Sequence, residues 1–258
     1  MKLSVVIPFY NEENMIQKMY DELVKEINQI TKAEFEIIFI NDGSKDRTFE
    51  RMLAIAAGDS RVKYISFSRN FGKEAGTIAG LEYATGEAVI LMDGDLQHPP
   101  AMLPQMIEAY EQGYDVVSAR RTRTGEKPHR TFLAKHFYKL ANKMMDIELM
   151  DGVSEFRLFS RKVVNAIISM QEYNRFSKGI FAWIGFNEKV IEYENQVRTV
   201  GETKYSLKFS LNYAIQGILS FNDKPLRMCI NFGLFCLLIS LAYVLWTFIQ
   251  YLVVPDSL

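Results

Sequence analysis

Apolar residues in the first half of the chain follow two alternating patterns. Short continuous runs, "LSVVIPF", "FEIIFI", "VKYISFS", "EAVILM" and "DVVSA", read as strands. Between the first four lie segments with helical spacing. In "ENMIQKMYDELVKEINQI" the apolar Met15, Met19, Leu23 and Ile27 share one face. "DRTFERMLAIAA" and "GKEAGTIAGLEYA" read as helices too, the latter with Gly72, Gly76 and Gly80 spaced to let a helix approach the sheet closely. The first strand is expected to stop at Pro8 and the second at the turn "NDGS". Unbroken apolar strands alternating with helices predict an α/β fold whose mainly parallel sheet is covered on both faces.

In such sheets ligands bind beyond the carboxyl ends of the strands. Those ends carry Asn11 and Glu12, Asn41 and Asp42, Ser68 to Asn70, Asp93 and Asp95, and Arg120. Polar groups from five separate loops are thus expected to converge.

The pattern changes at the C-terminus. From Met228 to Pro255 there is no charged residue. The run is long enough to span a bilayer as a helix, which needs about 20 apolar residues, and it lacks the polar stripe of a soluble helix. Lys224 and Arg227 precede it and Asp256 follows, which predicts a cytosolic N-terminal part. "MKLSVVIPFYNEE" has too short an apolar run for a signal peptide. Two basic amphipathic segments, "HRTFLAKHFYKLANKMM" and "KYSLKFSLNYAIQGILSF", suit either packing on the sheet or the membrane interface. The second leads into the apolar helix, which favours the membrane.

The net charge of −1 gives no argument for a nucleic-acid partner. Cys229 and Cys236 both fall in the apolar segment, so neither a disulfide framework nor a zinc site is indicated.

The chemistry concentrates in "AVILMDGDLQHPP". Carboxylates are costly to bury unless paired or metal-bound, so Asp93 and Asp95 are expected at the exposed end of the strand, facing a positive partner. Three readings are open: a solvated loop, a phosphatase of the haloacid-dehalogenase kind, and a divalent ion held between the acids and a substrate diphosphate. Mg²⁺ suits the last, because it takes few carboxylates and keeps phosphate oxygens and waters. "GKEAGT" lacks the order of a P-loop, and no G-x-S-x-G elbow occurs. His98 is open between donor contact and turn residue, and "FAWIGF" between pocket lining and core.

Six stretches in order, "VVIPFYNEE", "NDGSKDRT", "SRNFGKEAG", "DGDLQHPP", "EFRLFSR" and "GETKYS" continuing to "PLR", resemble the inverting family 2 glycosyltransferases. The resemblance covers nearly the whole chain. It is to the polyprenyl-phosphate branch, which includes bactoprenol glucosyltransferases and dolichyl-phosphate mannose synthases. It implies a Rossmann-like A-type glycosyltransferase domain over residues 1–203, a juxtamembrane amphipathic helix over 204–227 and a transmembrane helix over 228–255. Two spanning helices are usual in the bactoprenol type, so a second is expected to be missing after "PDSL".

By the same resemblance Pro8, Tyr10, Asn11 and Glu12 hold the nucleotide base and ribose, and Asp42 contacts the base. Asp93 and Asp95 bind metal and diphosphate, with Gln97 beside them. Arg120 and Arg130 bind phosphates; Arg198, Lys204 and Tyr205 close on donor and lipid phosphates. The implied catalytic set is Asp95, Glu155, Arg120 and Arg130. Glu155 departs from the pattern, since "SEFRL" stands where relatives often have G-D-F-R-L. Its role is open between base, acceptor-loop support and partner to Arg157.

The resemblance further implies Mg²⁺ or Mn²⁺, a nucleotide-sugar donor, a polyprenyl (undecaprenyl) phosphate acceptor and a cytoplasmic membrane location with the catalytic domain in the cytosol. UDP-glucose or UDP-N-acetylglucosamine is favoured as donor, and GDP-mannose is the alternative. A homo-oligomer and the pathway served, cell-wall decoration among others, are left open. A processive polysaccharide synthase is disfavoured, because "QEYNRF" is not Q-x-x-R-W. The rival from another class is a non-catalytic membrane sensor or scaffold that retains a nucleotide-sugar pocket.

Overall fold

The structure is a computed structural model that describes residues 1–122, 150–172, 175–194 and 220–253, with positions 139, 142, 143, 145, 147 and 217 between them. Its elements run β1 (Lys2–Phe9), α1 (Ile16–Ile27), β2 (Glu34–Asn41), α2 (Thr48–Gly58), β3 (Val62–Ser66), α3 (Lys73–Tyr83), β4 (Ala88–Leu91), a 3-10 turn (Pro100–Met102), α4 (Leu103–Glu111), β5 (Val116–Arg121), β6 (Val153–Ser160), α5 (Arg161–Ser169), α6 (Ser177–Trp183), β7 (Glu188–Tyr193) and α7 (Lys224–Val253).

The seven strands form one sheet in the order β3-β2-β1-β4-β6-β5-β7. All neighbours pair in parallel except β6, which is antiparallel to β4 and β5. The five expected strands are present, and the sheet is mainly parallel and covered on both faces. One apolar layer joins Leu3, Val5 and Ile7 of β1 to Met19 and Leu23 of α1 and to Met106 of α4. The other joins Val6, Ile38 and Ile40 to Leu81 of α3 and to Val163 and Ile167 of α5. A Cβ on Gly80 would lie 2.2 Å from Val6 Cγ1, so this glycine does let α3 press onto the sheet. Gly72 serves differently: its φ of +95° turns the chain into α3.

β1 does not stop at Pro8 but runs on to Phe9. Proline is tolerated here because β4 is short. Val6 accepts from the Met92 N–H on the β4 side, and Pro8, two residues on, faces the same side where β4 has ended. β6 and β7 were not among the expected strands.

The C-terminal apolar segment is helical and begins at Lys224, ahead of its uncharged run. From Leu226 to Val253 it is long and apolar enough to cross a membrane, and none of it is buried against the rest of the protein. Cys229 and Cys236 are exposed on it. Most of the two amphipathic segments lies outside the described residues, as do Arg130, Arg198, Lys204 and Tyr205.

Candidate active site

The carboxyl edge of the sheet gathers the loops named by the sequence. After β1, Asn11 takes a left-handed φ of 51°, a conformation asparagine tolerates better than most residues. Its N–H donates to Ser44 Oγ at 3.0 Å, and its Oδ1 accepts from the Lys45 N–H at 2.8 Å. The Glu12 N–H donates to Thr48 Oγ1 at 2.8 Å. The Pro8–Glu12 segment, half-buried at Pro8, Tyr10, Asn11 and Glu12, is thereby joined to the "NDGS" loop.

Asp42 is buried and fully engaged within the protein. Its Oδ1 accepts from the Phe71 N–H at 2.7 Å, and its Oδ2 from the Gly72 N–H at 2.9 Å and Asn70 Nδ2 at 2.8 Å. Burial raises its pKa against the opposing effect of those N–H donors. Asp42 thus holds the loop that launches α3. Gly43 lets that loop close, because a Cβ there would sit 2.2 Å from the Arg69 carbonyl carbon.

The loop after β4 carries Asp93 and Asp95, both half-buried. The glycine between them is required by packing: a Cβ on Gly94 would lie 2.3 Å from Phe9 Cε1. That ring is buried and meets Phe39 edge-on at 5.3 Å, so it has no room to withdraw. Asp95 Oδ1 accepts from the Gln97 N–H at 3.1 Å. His98 is buried, stacked on Phe156 at 5.4 Å, and its Nδ1 accepts from the Asp93 N–H at 3.1 Å. Burial lowers the His98 pKa, so the ring is neutral and its other nitrogen carries the proton. The histidine acts as a turn-holding residue for the acidic loop. Leu96, at a left-handed φ of 58°, is a strained point in the same loop.

Glu155 reaches this edge through the antiparallel strand. Pairing of Leu91 with Arg157 and of Arg120 with Val153 puts the start of β6 beside the ends of β4 and β5. There Lys73 Nζ lies 2.5 Å from Asp93 Oδ1 and 2.5 Å from Glu155 Oε2. Burial would raise the Asp93 pKa, but the adjacent Lys73 ammonium holds the carboxyl well below its usual range. Glu155 is thus ion-paired with Lys73, and its charge also acts on Arg157. Arg157 is buried, bonds Glu188 Oε1 at 3.2 Å and lies over the Phe181 ring at 5.1 Å. Phe181 itself is in the core. Lys73 was missed among the site residues: it lies within "SRNFGKEAG", but nothing local in that stretch shows that its charge meets Asp93 and Glu155.

Arg120 pairs with Glu192 across β5 and β7, with Nε at 3.1 Å from Glu192 Oε1. Its place at the end of β5 is as expected, but it pairs with this strand neighbour and not with the acidic loop.

Among the described residues no three His, Cys, Asp or Glu side chains gather as a metal site. Asp93 and Asp95 offer hard oxygen donors from one loop. That set fits an ion such as Mg²⁺ or Mn²⁺ that completes its shell with diphosphate oxygens and water, and does not fit a closed protein site.

Residues 4–168 match Glycosyl transferase family 2. CsbB of Bacillus subtilis (strain 168), a glycosyltransferase by name, is 49% identical over 97% of this chain and 76% of its own length. The bactoprenol glucosyl transferase of Shigella phage SfV is 42% identical over 98% of this chain and 82% of its own. Among solved structures, glucosyl-3-phosphoglycerate synthase from Mycobacterium tuberculosis, in complex with Mn²⁺ and UDP-glucose, shares the fold. Its TM-score is 0.54 at 20% identity, over 84% of this chain and 76% of that one. The mannosyltransferase PcManGT from Pyrobaculum calidifontis, in complex with GDP-mannose and Mn²⁺, also has a TM-score of 0.54, at 18% identity over 74% of this chain. The present chain spans 54% of that mannosyltransferase chain. The family match spans residues 4–168, from β1 to the end of β6 and into α5, and so takes in the loops at the carboxyl edge; the chain belongs to glycosyl transferase family 2.

Proposed function

We propose that this protein is a membrane-anchored transferase that moves one sugar from a nucleotide-sugar to a polyprenyl phosphate, with inversion at the anomeric carbon. The observation that carries this reading is the 42% identity to a bactoprenol glucosyl transferase over 98% of the chain. An alignment of that extent takes in both the polar edge and the apolar helix. The proposed layout is a catalytic domain over 1–203, a juxtamembrane segment over 204–227 and a membrane helix over 228–255, with the catalytic domain in the cytosol. UDP-glucose or UDP-N-acetylglucosamine is the proposed donor.

The reaction needs little proton chemistry. A phosphate monoester has a second pKa near ~6, so the lipid phosphate is already anionic at neutral pH. One of its oxygens bonds to the anomeric carbon from the face opposite the nucleoside diphosphate. The old carbon–oxygen bond breaks, and its electron pair leaves with the diphosphate. A divalent ion, when bound, screens the charge on that leaving group. In this reading Asp93 and Asp95 hold the ion, and Gln97 orients Asp95. The Pro8–Glu12 segment holds base and ribose. Asp42 contacts the base through its loop, and Arg120 binds phosphate after exchanging Glu192 for it. Arg130, Arg198, Lys204 and Tyr205 supply the remaining phosphate contacts.

The test is a donor panel on membranes that contain the full chain. Undecaprenyl phosphate is supplied with labelled UDP-glucose, UDP-N-acetylglucosamine, UDP-galactose or GDP-mannose, with Mg²⁺ or Mn²⁺ and with chelator. One donor is expected to yield a labelled lipid, and chelator to abolish it. No lipid product from any donor, with nucleotide binding confirmed, would overturn the acceptor and leave a nucleotide-sugar binder.

A further inference from the structure

The strongest feature to which the family resemblance assigned no role is the ammonium group shared by two site carboxylates. Lys73 is the first residue of α3, and its backbone is set before any ligand arrives: Asp42 grips the Asn70–Gly72 loop just ahead of it. Asp93 is fixed from the other side by His98. Lys73 Nζ contacts Asp93 Oδ1 and Glu155 Oε2, both at 2.5 Å, in a half-buried setting where charges are weakly screened.

We propose that Lys73 is a tethered cation that competes with the divalent ion for Asp93, so that metal and nucleotide enter the site together. The proposal rests on the reading of Asp93 and Asp95 as the metal-diphosphate pair. Asp93, Asp95 and Glu155 bring three negative charges, and Lys73 returns one positive charge to them. A divalent ion added to this group alone would place two cations on one carboxylate, and the two would repel. A diphosphate removes the conflict. Its oxygens ligate the ion, and Lys73, released from Asp93 and still held by Glu155, turns to a phosphate oxygen. Glu155 is in this view a positioning residue for Lys73.

Mn²⁺ binding by the full chain in detergent, read from the electron paramagnetic resonance of free Mn²⁺, tests this without turnover. The chains compared are wild type, Lys73→Met and Lys73→Arg, each with and without UDP. Removing the ammonium leaves Asp93 and Glu155 unpaired, so Lys73→Met is expected to bind Mn²⁺ alone about tenfold or more tightly than wild type. Lys73→Arg keeps the competing charge and is expected to stay near wild type. UDP is expected to tighten Mn²⁺ binding more in wild type than in Lys73→Met. A merely structural lysine would shift affinity the other way, because its loss would loosen the site. If Lys73→Met fails to fold, Lys73→Gln carries the same comparison. Equal or weaker Mn²⁺ binding by the folded variant would overturn the proposal while leaving the metal pair intact. No Mn²⁺ binding by any chain, even with UDP bound, would overturn the metal reading of the pair and the proposal with it.

Discussion

Lys73 and Glu155 form an ion pair at 2.5 Å, although one opens a helix after the third strand and the other lies on a strand that enters the sheet antiparallel. The pair changes what Glu155 can do. A carboxylate that shares an ammonium with Asp93 is poised to hold that cation, and the proposed acceptor, a lipid phosphate, is already anionic. Glu155→Gln is therefore expected to lower turnover by less than about 100-fold, the lower limit for losing a general base being about that size. A loss of 1,000-fold or more in labelled-lipid formation, with the fold intact, would assign proton transfer to Glu155.

Asp95 is proposed to hold the metal, and its Oδ1 accepts from the Gln97 N–H at 3.1 Å. Asp95→Asn keeps the shape and removes the charge that attracts the ion. Lipid formation is expected to fall at least about 100-fold, in line with losing a main electrostatic contribution to the transition state. Higher Mn²⁺ is expected to restore part of it; activity near wild type at low Mn²⁺ would remove Asp95 from the metal site.

The glycine of the D-x-D loop carries a packing prediction. Gly94→Ala drives a methyl group into the Phe9 ring, which the core holds in place. A destabilisation of about 1–3 kcal/mol is expected, read from chemical denaturation. Nucleotide affinity is expected to weaken as well, because the methyl group displaces both flanking aspartates. Wild-type stability would show that the loop relaxes at little cost.

A buried carboxylate at the opposite edge governs acid stability. Glu36 accepts from Ser4 Oγ at 2.6 Å, the Thr85 N–H at 2.6 Å and Lys63 Nζ at 2.7 Å. Burial would raise its pKa, but these donors outweigh burial and hold it at about 2, below the ordinary 4.5. A depressed carboxyl pKa stabilises the fold above the unfolded value, and that stability is lost as pH falls through the folded value. The Glu36 contribution is thus complete above about pH 4.5 and fades towards pH 2. Glu36→Gln is expected to be less stable than wild type at pH 7 by about 1–3 kcal/mol, with the gap closing on acidification. A gap that does not depend on pH would assign the loss to packing.

Much of the scaffold was legible because its signals are local. The five apolar strand runs, the helix with Met19, Leu23 and Ile27 buried on one face and Met15 buried at its cap, and the exposed C-terminal helix follow from periodicity and length. Gly80 was legible as a close-approach position for the same reason. The parallel order then puts the loop residues of β1 to β5 at one edge. The "EFRLFSR" stretch was legible as a motif but not as a strand, because its burial on both faces follows from insertion between β4 and β5.

The sequence by itself determined the α/β class, the acidic loop at a strand end and the apolar helix, since each depends on neighbours a few residues away. Only the tertiary structure decided how charges are shared. The antiparallel entry of β6 brings Glu155 to Lys73, Asp42 turns inward to fasten the loop before α3, and Arg120 meets Glu192 across β7. Those pairings join residues remote in the chain, and a charge has no periodicity that reveals its partner; its partner is set by the strand order that brings the two together.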